Sequence, residues 1–112
     1  MNIAFALFKY FPYGGLQRDM LRIAQACVVR GANVTVYCGE WQGEQPAGIR
    51  VQLVPVTGRS NHRRNRVFAD NLRQQLALDK PVLVVGFNKM PGLDFYYAAD
   101  TCFKAKLLQE RM

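Results

Sequence analysis

Apolar positions recur along this chain with two distinct periods. Residues 3–8 form a short apolar run, the mark of a buried strand. From there Leu16, Met20, Ile23, Ala24, Cys27 and Val28 repeat at helical spacing, while Gln17, Arg18, Arg22 and Gln25 face elsewhere. Gly31 stands where a helix C-cap glycine belongs. Residues 33–39 alternate through Val34, Val36 and Cys38 and predict a second strand, and a third is predicted over 49–56. Between them, residues 40–48 read as a polar loop carrying Trp41. A second helix is predicted over 65–78 on Val67, Phe68, Leu72 and Leu76. The almost wholly apolar run 82–87 predicts a central parallel strand covered on both faces. A fifth strand is expected over 95–99, and Leu107 and Leu108 sit in the opening of another helix. Strands that alternate with helices through short connections imply right-handed crossovers and a doubly wound, mostly parallel α/β sheet. The last helical pattern reaches Met112 with no cap, glycine or proline, which predicts a chain cut inside a larger protein.

The stretch Lys9-Tyr10-Phe11-Pro12-Tyr13-Gly14-Gly15-Leu16-Gln17-Arg18-Asp19 links the first strand to the first helix. The opening amides of a helix lack partners and its dipole favours negative charge, so a strand–glycine–helix turn suits an anion. Gly14 and Gly15 have no Cβ, which lets a phosphate or sugar approach the backbone. Neither a dinucleotide fingerprint nor a P-loop is present. These residues alone fit an anion site and a tight connecting turn equally well.

Ligands of such sheets bind beyond the carboxyl ends of the strands. The connections expected there are residues 9–15, 57–66 and 88–92, followed by Asp100 with Thr101. Residues 57–66, read as a basic loop leading into the second helix, hold four arginines: Arg59, Arg63, Arg64 and Arg66. Several fall near a helix start, where the dipole disfavours cations, so an anionic ligand explains them better than helix stability does. Guanidinium forks match phosphate and carboxylate. His62 reads as a surface or hydrogen-bonding residue. Asn88 and Lys89 have the donors for sugar hydroxyls or a phosphate, and equally suit a stiff loop closed by Pro91-Gly92. Asp100 ends an apolar run, where a carboxylate can hold a hydroxyl. Asp19, placed in the first helical turn, is accounted for equally by the helix dipole. Tyr10, Phe11 and Tyr13 fit either a wall for a sugar face or ordinary core.

Charge then narrows the partner. With 15 Lys and Arg against 8 Asp and Glu, the chain carries a net charge of +7. Nucleic acid, an anionic membrane surface and phosphorylated small molecules all qualify, as does a basic surface kept for solubility. No apolar run approaches the roughly 20 residues of a membrane span, and the N-terminus lacks the pattern of a signal peptide. Cys27, Cys38 and Cys102 form no metal-binding spacing with His62, so free thiols in a reducing cytosol are expected. Paired carboxylates, an Asp-x-Asp metal clasp and a serine or cysteine nucleophile constellation are lacking. Any sugar-nucleotide chemistry is therefore expected to need no metal and no cofactor.

Three stretches carry a resemblance. Residues 8–19, the run Val85-Gly86-Phe87-Asn88-Lys89-Met90-Pro91-Gly92-Leu93-Asp94, and Ala98-Ala99-Asp100 resemble the bacterial lipopolysaccharide core glucosyltransferase I family (UDP-glucose:heptose-I glucosyltransferases). These are retaining glycosyltransferases with two facing Rossmann-like domains, the B-type fold. The resemblance runs over residues 1–112 and covers only the N-terminal, acceptor-side domain, without the donor-binding one. It implies transfer of glucose from UDP-glucose to heptose I of the lipopolysaccharide inner core, without a metal. It implies further that Gly14 and Gly15 reach the donor diphosphate and that Asp19 and Asp100 face the interdomain cleft as catalytic residues. Asn88, Lys89, Arg59, Arg63 and Arg64 are implied on the acceptor side, the arginines suiting a phosphorylated heptose. The family docks on the inner, cytoplasmic face of the membrane through a basic, apolar helical segment, which Phe103, Lys104 and Lys106 would begin. The chain alone is expected to be inactive or nearly so. Two other classes compete: a non-catalytic anion-binding or membrane-docking α/β module, and a nucleic-acid binder. The latter is disfavoured because the arginines cluster in one stretch without interleaved aromatics.

Overall fold

The computed structural model describes residues 1–88 and 93–97. Along these run β1 (Asn2–Tyr10), α1 (Gly15–Val29), β2 (Asn33–Trp41), β3 (Ile49–Leu53), α2 (Asn61–Asp79), β4 (Leu83–Gly86) and β5 (Phe95–Tyr96). The strands lie in the order β3-β2-β1-β4-β5, and every neighbouring pair is parallel. This is the doubly wound, Rossmann-like arrangement expected from the alternation of strands and helices.

The two faces of β1 explain how the layers sort. Ile3, Phe5 and Leu7 pack with Met20 and Ala24 of α1 and with Val34, Val36 and Cys38 of β2. Ala4 and Ala6 face the other way, and their small side chains leave room for Tyr37 and for Phe68 and Leu72 of α2. The strand at the middle of the sheet is therefore β1, not the 82–87 run. β4 lies one place off centre, Val82 precedes it and is exposed, and Leu83 and Val85 are only half-buried. Cys38 is wholly buried, and burial pushes its thiol up to about 12, which leaves it protonated and inert. Cys27 and Cys38 are both free thiols, and Cys102 lies outside the described residues.

α1 ends as the position of Gly31 predicted. Gly31 adopts φ 92°, its amide donates to Val28 O at 2.9 Å, and the Ala32 amide donates to Cys27 O at 3.0 Å. These are the two bonds of a Schellman ending, with Gly31 one residue beyond the cap. α2 departs from expectation: it begins at Asn61, not at 65, because Ser60 caps it. The Ser60 Oγ accepts from the Arg63 amide at 3.2 Å. Arg63, Arg64 and Arg66 therefore stand on the first turns of a helix, and only Arg59 remains in the loop. β2 continues to Trp41, so the tryptophan belongs to a strand; β3 stops at Leu53, short of 56. Residues 98–112, including Leu107 and Leu108, lie outside the described residues.

At the amino-terminal edge of the sheet the buried Tyr37 hydroxyl donates to Asp79 Oδ2 at 2.5 Å, and Gln75 Nε2 donates to the same oxygen at 3.4 Å. Burial first, then Asp79, raises the Tyr37 phenol, and the Tyr37 hydroxyl holds the Asp79 carboxyl below its ordinary range. A depressed carboxyl contributes stability above about pH 4 and loses it as the pH falls through the folded value. A raised phenol contributes up to about pH 10 and loses its share as the pH climbs further. Tyr37→Phe is expected to cost about 1 kcal/mol at neutral pH, allowing for the solvent around Asp79. Urea unfolding across both limbs should show a flatter pH profile than the unchanged chain. An identical profile would mean that the bond adds nothing.

Candidate functional site at the carboxyl edge

β1 and β4 are neighbours in the sheet, and the helices beside them in sequence lie on opposite faces: α1, which follows β1, on one and α2, which precedes β4, on the other. Ligands of parallel α/β sheets sit in the crevice that opens there. α1 starts at this crevice, and its first intrahelical bond runs from the Arg18 amide to Gly14 O at 3.0 Å. No side chain caps it, and no acidic residue lies in its first turn. The opening amides are thus set toward an incoming anion.

The two glycines differ in what they leave room for. Gly14 has φ −86° and ψ 139°, which any residue adopts, so its requirement is steric. A Cβ there would lie 2.0 Å from Gln17 Oε1 and 2.5 Å from Phe11 Cε2. The space beside Gly14 is already filled by the protein. A Cβ on Gly15 would meet nothing within 4 Å, so Gly15 opens to a ligand. Gln17 does not turn outward as its helical position suggested. It is only 9% exposed, and its Nε2 donates to Lys9 O at 3.0 Å, locking the turn to the end of β1.

Asp19 lies in the second turn of α1 rather than the first, so the dipole at the helix start does not account for it. Its Oδ2 accepts from the Tyr97 hydroxyl at 3.0 Å, across 78 residues of sequence. Burial and the Asp19 carboxylate both raise the Tyr97 phenol, which keeps it a donor. Asn88 has one commitment already. Its Oδ1 accepts from the Phe8 amide at 2.7 Å, extending the β1–β4 ladder beyond Ala6 and Gly86. Its amide nitrogen makes no hydrogen bond to the described residues. Lys89, Asp100, Phe103, Lys104 and Lys106 lie outside the described residues.

Among the aromatic residues, Tyr10 belongs to the core, stacked on Trp41 with centroids 3.8 Å apart and planes at 12°. Tyr13 is 76% exposed beside Phe11 and is the member free to meet a sugar.

On the α2 side of the same edge lies a cavity of about 310 Å³. Phe8, Val56 and Phe68 give it an apolar floor, and Lys9, Glu40, Asn61, Arg64 and Asn65 form its rim. Of the predicted acceptor-side arginines only Arg64 is at this cavity. Arg63 lays its stem over Gly58, where a Cβ would lie 2.9 Å from Arg63 Cγ, and Arg59 is exposed in the loop. His62 is exposed on the first turn of α2. Glu40, Asn61 and Asn65 escaped the sequence reading. The signal for the last two was their spacing ahead of Phe68, which places a polar stripe in line with the core stripe of α2.

A slightly larger cavity, about 350 Å³, lies at the opposite edge among Asn33, Arg50 and Asp79. It is at the amino ends of the strands, and Asp79 there is already bonded to Tyr37 and Gln75. The carboxyl edge is where this fold concentrates ligand contacts. Among the described residues no cluster of His, Cys, Asp or Glu could hold a metal, and no helix is long and apolar enough to cross a membrane.

No protein-family model matches the chain. It is 47% identical over 111 residues to the lipopolysaccharide glucosyltransferase WaaG of Escherichia coli (strain K12). That match takes in 99% of this chain and 30% of the relative. It also superposes with a TM-score of 0.84 on the crystal structure of WaaG, a glycosyltransferase involved in lipopolysaccharide biosynthesis. There the identity is 47%, over 96% of this chain and 29% of that one. The chain therefore spans about 30% of the length of the relative it matches. Over that span the chain is similar, in sequence and in fold, to the lipopolysaccharide glucosyltransferase WaaG.

Proposed function

We propose that this chain is the acceptor-side Rossmann-like domain of a retaining, metal-independent glucosyltransferase. The reaction moves glucose from UDP-glucose to heptose I of the lipopolysaccharide inner core. The observation that carries this reading is the 47% identity, sustained over 99% of the chain and taking in the glycine turn and the loop after β4. In this role the amides at Gly15 meet the donor diphosphate. The rest of the nucleotide is held by a second domain outside this chain. Asp19 and Asp100 face the cleft between the domains, Asp19 steadied by Tyr97. Asn88 and Lys89 meet the acceptor. Work at the inner face of the cytoplasmic membrane follows from the acceptor, and exposed Arg59, Arg63 and Arg66 give the domain a basic surface toward anionic lipid. The segment beginning at Phe103, Lys104 and Lys106 adds to it.

Two results are expected of the 112-residue chain itself. Incubated with UDP-glucose and a heptose-terminated core acceptor, it transfers no measurable glucose; efficient transfer would overturn the division of labour between two domains. Titrated with UDP-glucose, it binds weakly and perturbs the amides of Gly15, Leu16 and Gln17. Gly15→Ala separates function from folding here. An alanine fits the first helical position, so stability should hold or rise by about 0.4–1 kcal/mol. Its Cβ occupies the space a diphosphate needs, so UDP-glucose binding should fall about tenfold. Unaltered binding would place the diphosphate elsewhere.

A further inference from the structure

Both central strands change phase at the same level. The α1-side core residues of β1 run Ile3, Phe5, Leu7 and then Tyr10; those of β2 run Val34, Val36, Cys38 and then, packed against them, Trp41. The last step on each strand is three residues instead of two. The parallel register reaches Leu7 with Cys38 and resumes at Lys9 with Glu40. Strict alternation would bury Lys9 and Glu40 under α1. The matched shift places them instead at the rim of the cavity on the α2 side, where they pair at 3.1 Å. Interruptions that re-aim side chains gather beside functional sites.

From the other wall, Asn61, Arg64 and Asn65 project at positions i, i+3 and i+4 ahead of buried Phe68. The Arg64 guanidinium has no hydrogen-bond or ion-pair partner among the described residues. The Gln42 amide first, then Lys9 and more distantly Arg64, hold the Glu40 carboxyl below its usual range. Glu40 is therefore a pure acceptor at neutral pH. Together the rim offers hydroxyl acceptors, amide donors and one guanidinium fork over an apolar floor. About 310 Å³ is enough for one sugar ring.

We propose that this cavity binds a monosaccharide unit that carries an oxyanion. Glu40 and the Asn61 and Asn65 amides take its hydroxyls, Arg64 takes the oxyanion, and Phe8, Val56 and Phe68 lie under its C–H face. The site is separate from the Gly15 turn, which lies on the α1 side of the sheet. It rests on the acceptor-side reading above and specifies it: the glycan is gripped at an acidic or phosphorylated residue. Carboxylate and phosphate share this chemistry.

The test is an NMR titration of the isotope-labelled chain with glucuronate, glucose 6-phosphate, methyl glucoside and inorganic phosphate, each to about 20 mM. Glucuronate or glucose 6-phosphate should shift the amides of Lys9, Glu40, Asn61, Arg64 and Asn65, and the tighter of the two identifies the oxyanion. Methyl glucoside should bind at least about tenfold more weakly. Arg64→Gln should weaken the charged sugars about tenfold, and Glu40→Gln should weaken them while leaving inorganic phosphate unaffected. All five rim residues that vary or report are exposed, so dispersed spectra will show that each variant is folded. The proposal is overturned if the cavity amides stay still, if inorganic phosphate binds as well as the sugar anions, or if Arg64→Gln changes nothing. A parallel titration with UDP-glucose keeps the two readings apart. A response at Gly15 with a silent cavity sinks this site alone, and the converse sinks only the donor contact.

Discussion

Replacing Phe68 with alanine is expected to lower stability by about 3–5 kcal/mol, a large share of what a domain of this size has to lose. Phe68 is fully buried, and its ring meets Phe8 edge-on with centroids 5.1 Å apart and planes at 80°. It stands with Leu72 as a buried residue of α2, a helix otherwise polar along most of its length. The surrounding positions cannot close the gap, because Ala4 and Ala6 opposite are already small. Urea unfolding should show a midpoint well below that of the unchanged chain with a similar slope. The same truncation removes the floor of the sugar cavity, so glucuronate and glucose 6-phosphate binding should weaken along with stability. A loss under about 1 kcal/mol would mean that α2 is anchored by something other than this ring.

Gly39→Ala is expected to cost about 1–3 kcal/mol by overpacking. A Cβ at this position would lie 2.6 Å from Val56 Cγ2, 3.0 Å from Phe8 O and 3.6 Å from Phe68 Cδ1. The Phe8 oxygen belongs to the backbone of the middle strand, held by pairing on both sides, and cannot withdraw as a side chain would. Gly39 is also where β2 changes phase, so the strain falls on the segment that aims Glu40. Thermal unfolding of Gly39→Ala and Gly15→Ala side by side should separate two kinds of glycine: one required by packing, one required by a ligand. Equal midpoints for the two variants would contradict that division.

The layers of this domain were legible because they depend on local periodicity. The helical repeat from Leu16 to Val28, the ending at Gly31 and the starts of β2 and β3 at Asn33 and Ile49 all appear where the sequence pattern puts them. What escaped depended on partners far along the chain or on competing local signals. Ser60 is an ordinary N-cap hidden beside a run of arginines with the look of a loop, so apolar periodicity alone places the start of α2 four residues late. The polarity of Gln17 suggested solvent, whereas its amide is used to fasten α1 to β1. Asn88 and Tyr97 bond to groups 80 and 78 residues away, which no window of sequence reveals. The phase change did leave a trace. Lys9 and Glu40 occupy positions that alternation assigns to the buried face, and each is followed by an aromatic residue that takes that place instead.

The charged residues sort in a similar way. Four arginines over 57–66 looked like one anion-binding group, yet a helix disperses consecutive residues around its axis, and only Arg64 turns to the cavity. Charge density therefore located the region, while helical phase selects the residue.

The proposed role is tested most directly by replacing the matching segment of Escherichia coli WaaG with this chain and following glucose incorporation into a heptose-terminated lipopolysaccharide acceptor. The account predicts that the hybrid transfers glucose from UDP-glucose and that Gly15→Ala in the hybrid suppresses transfer. A folded hybrid that binds UDP-glucose but transfers nothing, beside an active unmodified relative in the same assay, would contradict it.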